Sequence, residues 1–193
     1  MFSIMEKIDM LDEINKQYTT TDKKNIIIDW ESTLKPLKKY KNLNIINRVG
    51  PLIVGIYLKM GRLNTYYTPI YYVHNLCREF PCFTSTLNIR GKIILPEKHN
   101  QMYVMEAHAL EKKAYITIDG DLTMEEIIKG YEKYFISPDL SSYIEYEDLA
   151  LVCGWSKDVN KIEYVLNLIY QELKVRLEER YFVENGGFEK WFS

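Results

Sequence analysis

The apolar residues of this chain change their spacing part-way along the sequence. Over residues 49–95 they form short runs rich in β-branched residues, such as 52–60, which Gly61 ends. Such runs are typical of strands. Beyond residue 122 apolar residues recur every three or four positions, which indicates amphipathic helices. No long helical stretch separates the apolar runs, so we predict an α+β fold in which a central antiparallel sheet packs against an N-terminal helix and a C-terminal helical half.

The chain is short enough, at 193 residues, to form a single domain. We divide it into an N-terminal helix and basic segment (1–47), a sheet (48–118) and an acidic helical half (119–193). Strands are predicted at 52–60, 65–74 and 83–89, with shorter candidates at 92–95, 102–105 and 114–118. Pro69 would be tolerated in its strand at an edge or a bulge.

Capping residues mark where the helices begin. Ser3 and Thr123 each precede a glutamate by three positions, the pattern of a capping box. We therefore predict a helix from Ser3 to about Gln17, a loop over 19–24, and a helix after Thr123. Later helices are predicted to begin at Ser137-Pro138, to stop at Gly154, and to resume after Ser156 or Asp158. The last helix carries an apolar stripe at Val159, Ile162, Leu166, Ile169, Leu173 and Leu177.

Charge is sorted along the sequence. Residues 1–118 hold 17 Lys+Arg against 11 Asp+Glu, whereas residues 119–193 hold 8 against 16, so a net charge of −2 conceals two polarised halves. A face of one sign steers an oppositely charged partner. We therefore predict a partner-binding acidic face, with two tyrosines as aromatic anchors. Its candidate residues are Asp119, Asp121, Glu125, Tyr143, Glu145, Tyr146, Glu147 and Asp148.

The sequence contains no complete catalytic or metal-binding motif, and we predict no enzyme, no cofactor and no metal. His74 and Cys77, with Cys82, form one half of a zinc site that would need a further ligand. An enzyme with a site near His74 and His108 stays an alternative. A second alternative is a nucleic-acid-binding module that uses the lysines of residues 35–41. Because Asp+Glu exceed Lys+Arg overall, our main prediction includes no nucleic acid as a partner, and it includes no membrane.

The expected location is the cytoplasm. Three cysteines, an odd number, argue against a disulfide framework. The first ten residues lack the apolar run of a signal peptide, and no run reaches the roughly 18 apolar residues of a membrane span.

Several short motifs lie in the sheet segment and before the last helix. They are Arg48-Val49-Gly50-Pro51, Gly55-Ile56-Tyr57-Leu58, Asn64-Thr65, Tyr67, Pro69, Val73-His74-Asn75-Leu76, Thr84-Ser85-Thr86-Leu87 and Gly154-Trp155-Ser156. In these motifs the chain resembles a family of bacterial immunity proteins encoded beside polymorphic toxins, including toxins of contact-dependent growth inhibition. The resemblance implies a cytoplasmic inhibitor that binds and neutralises the C-terminal domain of one cognate toxin.

Two further questions about binding stay open at this stage. Many such toxins are nucleases with basic clefts, which an acidic face could occupy. An alternative interface is a sheet edge near Tyr66, Tyr67, Tyr71 and Tyr72, where a partner strand could pair. The chain could also form a homodimer.

Overall fold

A five-stranded antiparallel sheet is the centre of the fold, in a computed structural model that describes residues 16–78, 85–119, 122–136 and 143–180. The strands lie side by side in sequence order, so each neighbouring pair is joined directly along the chain. They are β1 (Lys38–Lys39), β2 (Asn44–Val49), β3 (Leu52–Met60), β4 (Tyr67–Asn75) and β5 (Thr86–Arg90). The α+β prediction is confirmed.

Five α-helices lie within the described residues. They are α1 (Thr20–Thr33), α2 (His99–Lys113), α3 (Met124–Phe135), α4 (Tyr143–Ser156) and α5 (Val159–Arg180). Short 3-10 turns, Arg62–Asn64 and Pro96–Lys98, precede β4 and α2. None of the helices in the described ranges is long and apolar enough to cross a membrane.

Capping boxes fix the starts of two helices. The Thr123 hydroxyl accepts from the Glu126 amide, and the Glu126 carboxylate accepts from the Thr123 amide, as predicted. Thr19 and Asp22 form the same arrangement at the start of α1. The loop predicted over 19–24 is therefore wrong, because an aspartate served here where our pattern required a glutamate. The helix predicted from Ser3 lies largely outside the described residues.

Alternation along the strands divides the sheet into a covered face and an open face. On β3 the side chains of Leu52, Val54, Ile56 and Leu58 are buried, whereas Tyr57 and Lys59, on either side of Leu58, are exposed. The helices pack on the covered face, where their buried residues form one core with the strands. Helical members of this core include Trp30, Leu110, Ile127, Leu149 and Val165. The sheet therefore has one face buried in the core and one face open to solvent.

Some predicted elements are wrong. Residues 102–105 belong to α2, whose buried side of Glu106, Ala107 and Leu110 follows a helical period. Residues 114–118 form no strand, and in 92–95 only Ile94 bridges to Tyr67. Pro69 lies in an internal strand, just beyond the residues that pair with β5, so its missing amide donor interrupts no β4–β5 pair.

The C-terminal helices also differ from the prediction. Helix α4 continues through Gly154 to Ser156, since Gly154 adopts no left-handed conformation. Asp158 caps α5, accepting from the Lys161 amide. Of the predicted stripe, Val159 and Leu166 are 64% and 53% exposed, because the buried side of α5 centres on Val165. The Ser137-Pro138 start and the side chains of Leu173 and Leu177 lie outside the described residues.

Candidate functional site

The eight predicted partner-binding residues do not form one face. Asp119, Glu125 and Glu147 are exposed, whereas Glu145, Tyr146 and Asp148 are buried. Asp121 and the side chain of Tyr143 lie outside the described residues. The predicted acidic face is therefore incomplete where the structure describes it. Their partners explain why the acids separate.

Asp148 is a buried acceptor that joins α4 to the sheet. Its Oδ1 accepts from Arg78 Nε at 2.7 Å and from Asn75 Nδ2 at 3.2 Å, and its Oδ2 accepts from Thr86 Oγ1 at 3.0 Å. Asn75 Nδ2 also donates to the Asp148 carbonyl. A buried carboxylate persists when charge and hydrogen-bond partners compensate its lost hydration. Its side-chain donors lie 62 to 73 residues away in the sequence, so the residues around Asp148 gave no sign that it would be buried and hydrogen-bonded.

Glu145 and Tyr146 fasten α3 to α4. The ring of Tyr146 stacks on Phe135, with centroids 4.1 Å apart and planes 10° from parallel. Glu145 Oε1 accepts from the hydroxyl of Tyr134 at 3.3 Å. Burial, reinforced by Glu145, raises the pKa of Tyr134 to about 12. These two residues therefore have structural roles at a helix–helix contact.

The exposed acids are partly neutralised by cations. Lys161 Nζ lies 2.7 Å from Glu125 Oε1 and 3.2 Å from Asp158 Oδ2, so one lysine bridges two acids. The hydrogen bond from Lys161 is the main reason that the pKa of Glu125 is lowered. Glu147 pairs with Arg78 at 2.9 Å while its side chain stays 59% exposed. Exposed pairs of this kind remain open to exchange with a partner's cations.

The histidines and cysteines form no candidate active site in the described part of the chain. His108 is exposed on α2 beside Glu111, whereas His74 lies on the opposite face of the sheet by strand alternation. Burial raises the pKa of the Cys77 thiol, and raises that of Cys153 to about 11, which opposes nucleophilic activation. No cluster of three metal-ligating side chains occurs among these residues, and Cys82 lies outside them.

A hydrogen-bonded chain of four side chains joins α1, β4 and α2. Trp30 Nε1 donates to the Tyr67 hydroxyl at 3.1 Å, which is 2.8 Å from His99 Nδ1, and His99 Nε2 is 3.0 Å from Asp29 Oδ2. No sequence pattern indicates these hydrogen bonds, because each of them joins two residues that are 32 to 70 positions apart. Tyr67 is fully buried, so no substrate reaches its hydroxyl. The arrangement resembles a proton relay, yet its role is to hold the core together.

The tyrosine edge is also absent. Strand β4 is internal, because β3 and β5 pair with its two sides. Tyr67 and Tyr71 are fully buried in the core, and Tyr72 is 2% exposed. The described edge strands of the sheet are instead β1 and β5, and on β1 the exposed Lys38 and Lys39 discourage pairing with another strand. Lys35 and Lys41 are exposed nearby, so the nucleic-acid alternative stays an untested prediction.

The open face of the sheet contains a concavity of about 660 Å³. One row of paired residues, Asn44, Tyr57, Ile70 and Arg90, crosses four strands and lines it. Lys59, Tyr72, Ser85 and Asn88 complete the lining. This volume lies in the range of binding sites in proteins, and aromatic, amide and cationic side chains converge on it.

The floor of this concavity is built by a glycine and a tyrosine. Gly55 is paired with Tyr72, and a Cβ at Gly55 would lie 2.6 Å from the Tyr72 hydroxyl. The ring of Tyr72 therefore lies across the backbone of Gly55, and its hydroxyl donates to Asn44 Oδ1 at 2.8 Å. Burial raises the pKa of Tyr72 to about 12. The glycine permits a close approach that no other residue would allow.

The two cations at this concavity have no acidic partner among the described residues. Lys59 and Arg90 are exposed, and neither takes part in any ion pair that we find there. Tyr57, two residues before Lys59 on β3 and in the same register row as Arg90, is 41% exposed, although its ring is large and apolar. Unpaired cations beside an exposed aromatic ring are typical of a recognition surface.

Comparison of the chain with protein-family models, with curated proteins and with solved structures gives no match. The function of the chain is therefore inferred from its residues and their geometry.

Proposed function

We propose that this chain is an immunity-type binding protein that holds a cognate toxin domain and neutralises it. The observation that carries the proposal is the open sheet face, where the exposed side chains of Tyr57, Lys59 and Arg90 line a concavity. A surface with exposed aromatic and cationic side chains on a rigid sheet suits protein recognition. The partner class, a toxin domain, comes from the family resemblance of the sequence motifs.

The motifs that carry the resemblance have architectural roles, which supports binding over catalysis. Gly50 adopts a left-handed conformation, with φ of 56°, in the turn between β2 and β3. Gly55 accommodates Tyr72, and Asn75 holds Asp148. A set of motifs that fixes turns, close contacts and helix docking preserves the shape of a surface, which is what an inhibitor needs.

A second candidate surface is what remains of the acidic set. Asp119, Glu125 and Glu147 are exposed, and they could meet the basic cleft of a nuclease after releasing their own cations. Such contacts would act mainly on the association rate and would weaken with salt. The nuclease activity of the partner is thus tied to this second surface.

Affinity capture followed by a growth assay tests the proposal. The purified chain is used as bait in extracts of its source cells, and each domain recovered in near-equal amount is expressed alone in a host. We expect one recovered domain to arrest growth and co-expression of this chain to restore it. If no recovered domain is toxic, or if a toxic one still kills in the presence of the chain, the proposal is wrong.

Charge reversal distinguishes the two surfaces in the same assay. The double variant Glu125→Lys/Glu147→Lys alters the acidic surface, and Lys59→Glu/Arg90→Glu alters the open sheet face, with equal and opposite changes of charge. We expect the second pair to abolish protection and the first to leave it intact. The opposite result would move the interface to the acidic surface.

A further inference from the structure

We propose that the open face of the sheet binds an acidic segment of the partner protein, with Lys59 and Arg90 as its carboxylate-binding residues. This inference rests on the proposed function as a binding protein, and it names the chemistry of the contact. It differs from the sequence-based expectation, in which this chain supplied the acids. The charge of Lys59 and Arg90, the spacing between them and the accessibility of the concavity support it.

Charge complementarity sets the sign of the ligand. Lys59 and Arg90 line the concavity, and no carboxylate among its described lining residues balances them. The remaining lining side chains are an apolar isoleucine and neutral amides, a serine hydroxyl and tyrosines, and the polar ones can donate hydrogen bonds but supply no negative charge. An arginine presents a planar fork to a carboxylate, and a lysine presents a point charge. An anionic partner is therefore favoured.

Spacing indicates two carboxylates in place of one anion. Lys59 lies on β3 and Arg90 on β5, with one strand between them and an offset of two residues along the register. At ordinary strand spacing the two Cα atoms are about 12 Å apart. Acids four residues apart in an extended segment span about 13 Å. Such a segment could meet both cations while crossing β4 near Thr68 and Ile70, beside the ring of Tyr57.

Accessibility favours a protein segment over a small molecule. Pockets for small ligands enclose most of the ligand surface. Here Tyr57 is 41% exposed, and Lys59, Ser85, Asn88 and Arg90 are exposed as well, so the walls stay open to solvent. The floor is fixed by the contact of Tyr72 with Gly55 and Asn44. A rigid floor with an open rim suits a segment that belongs to a larger surface.

A labelled-peptide titration tests the inference on the full chain. The probe is a fluorescein-labelled peptide with two glutamates four residues apart and a tyrosine between them, and binding is followed by fluorescence anisotropy. The same peptide with lysines in place of glutamates is the charge control. We expect the acidic peptide alone to bind, and its affinity to fall as salt is raised.

Matched double variants place the contact on the sheet. Lys59→Glu/Arg90→Glu should weaken binding at least about 10-fold, by analogy with the cost of removing interfacial charge partners. Lys112→Glu/Lys113→Glu makes the same change of charge at exposed residues of α2, a helix whose buried side belongs to the core on the covered face. This control should bind as the wild type does. Circular dichroism confirms that both variants fold.

Several outcomes overturn the inference. The inference is wrong if the acidic peptide fails to bind, if both double variants weaken its binding equally, or if pyrophosphate binds while the peptide does not. Its failure is distinguishable from failure of the proposed function. A captured toxin domain whose binding ignores Lys59→Glu/Arg90→Glu removes the acidic contact only, whereas peptide binding without any toxic partner removes the toxin-neutralising function only.

Discussion

The two faces of the sheet use the same strands for opposite purposes. On β4 the residues facing the helices, such as Tyr71 and Val73, are fully buried, and Tyr71 donates to the Ile116 carbonyl at 2.7 Å. On the open face Tyr57 and Arg90 lie in the same register row and reach solvent. On the covered face Asn75, Thr86 and Asp148 are joined by hydrogen bonds, whereas on the open face Lys59 and Arg90 form no ion pair with another described residue. The buried contacts that stabilise the fold are therefore concentrated on one face, and the other face is the one that we propose for recognition.

The strongest test of this contrast removes the buried carboxylate. We expect Asp148→Ala to lower the free energy of unfolding by about 3–5 kcal/mol, because Arg78 and Thr86 lose their acceptor in a buried site. Urea denaturation measures the change. Glu147→Ala removes the exposed carboxylate from the same arginine and should cost no more than about 1 kcal/mol. Equal losses for the two variants would contradict the structural role assigned to Asp148.

Removing one hydroxyl from each face sharpens the comparison. Tyr67→Phe leaves Trp30 Nε1 and His99 Nδ1 without their shared partner, and we expect a loss of about 2–3 kcal/mol. Tyr57→Phe deletes a hydroxyl from an exposed ring and should change stability by less than about 0.5 kcal/mol. Thermal unfolding of the two variants provides the measurement. A stable Tyr67→Phe variant would show that the hydrogen-bonded chain contributes little.

Two glycines give a matched pair for the floor of the concavity. Gly55→Ala should lower stability by about 1–2 kcal/mol, because its Cβ would meet Tyr72 and the Ile45 carbonyl oxygen at 2.6 and 2.9 Å. Gly154→Ala lies within α4, where a Cβ meets nothing within 4 Å, and should be neutral or stabilising. Chemical denaturation compares them. If a folded Gly55→Ala variant no longer binds the acidic peptide described above, the position of Tyr72 is also required for binding.

The smallest effect concerns alkaline pH. Burial raises the pKa of the Cys153 thiol from 9.0 to about 11, so the folded state favours the neutral thiol. The resulting stability is present below pH 9 and is lost as pH rises towards 11. Urea unfolding across this range should show a shallower decline for Cys153→Ala than for the wild type. An unchanged slope would mean that the tyrosines alone cause the decline.

The strongest local signals were sufficient for much of the fold. The apolar run 52–60 predicted the bounds of β3, and the capping box at Thr123 predicted the start of α3. Helix α1 was missed because its capping box uses Asp22 in place of a glutamate, and residues 102–105 were predicted as a strand because four residues cannot distinguish a strand from a helical turn. The pairing of β4 with both β3 and β5 shows that its tyrosines lie on an internal strand, and the sequence did not reveal this pairing.

The candidate site depended on contacts between residues that are far apart in the sequence. By itself the sequence determined the composition of the acidic half, the antiparallel sheet and the absence of a complete catalytic motif. Only the tertiary structure decided which acids are buried, since the donors to Asp148 come from β4, β5 and the residues after β4. It also brought Tyr57, Lys59 and Arg90 to one face. Strand alternation fixes which residues share a face, but pairing and helix packing decide which face stays open to a partner.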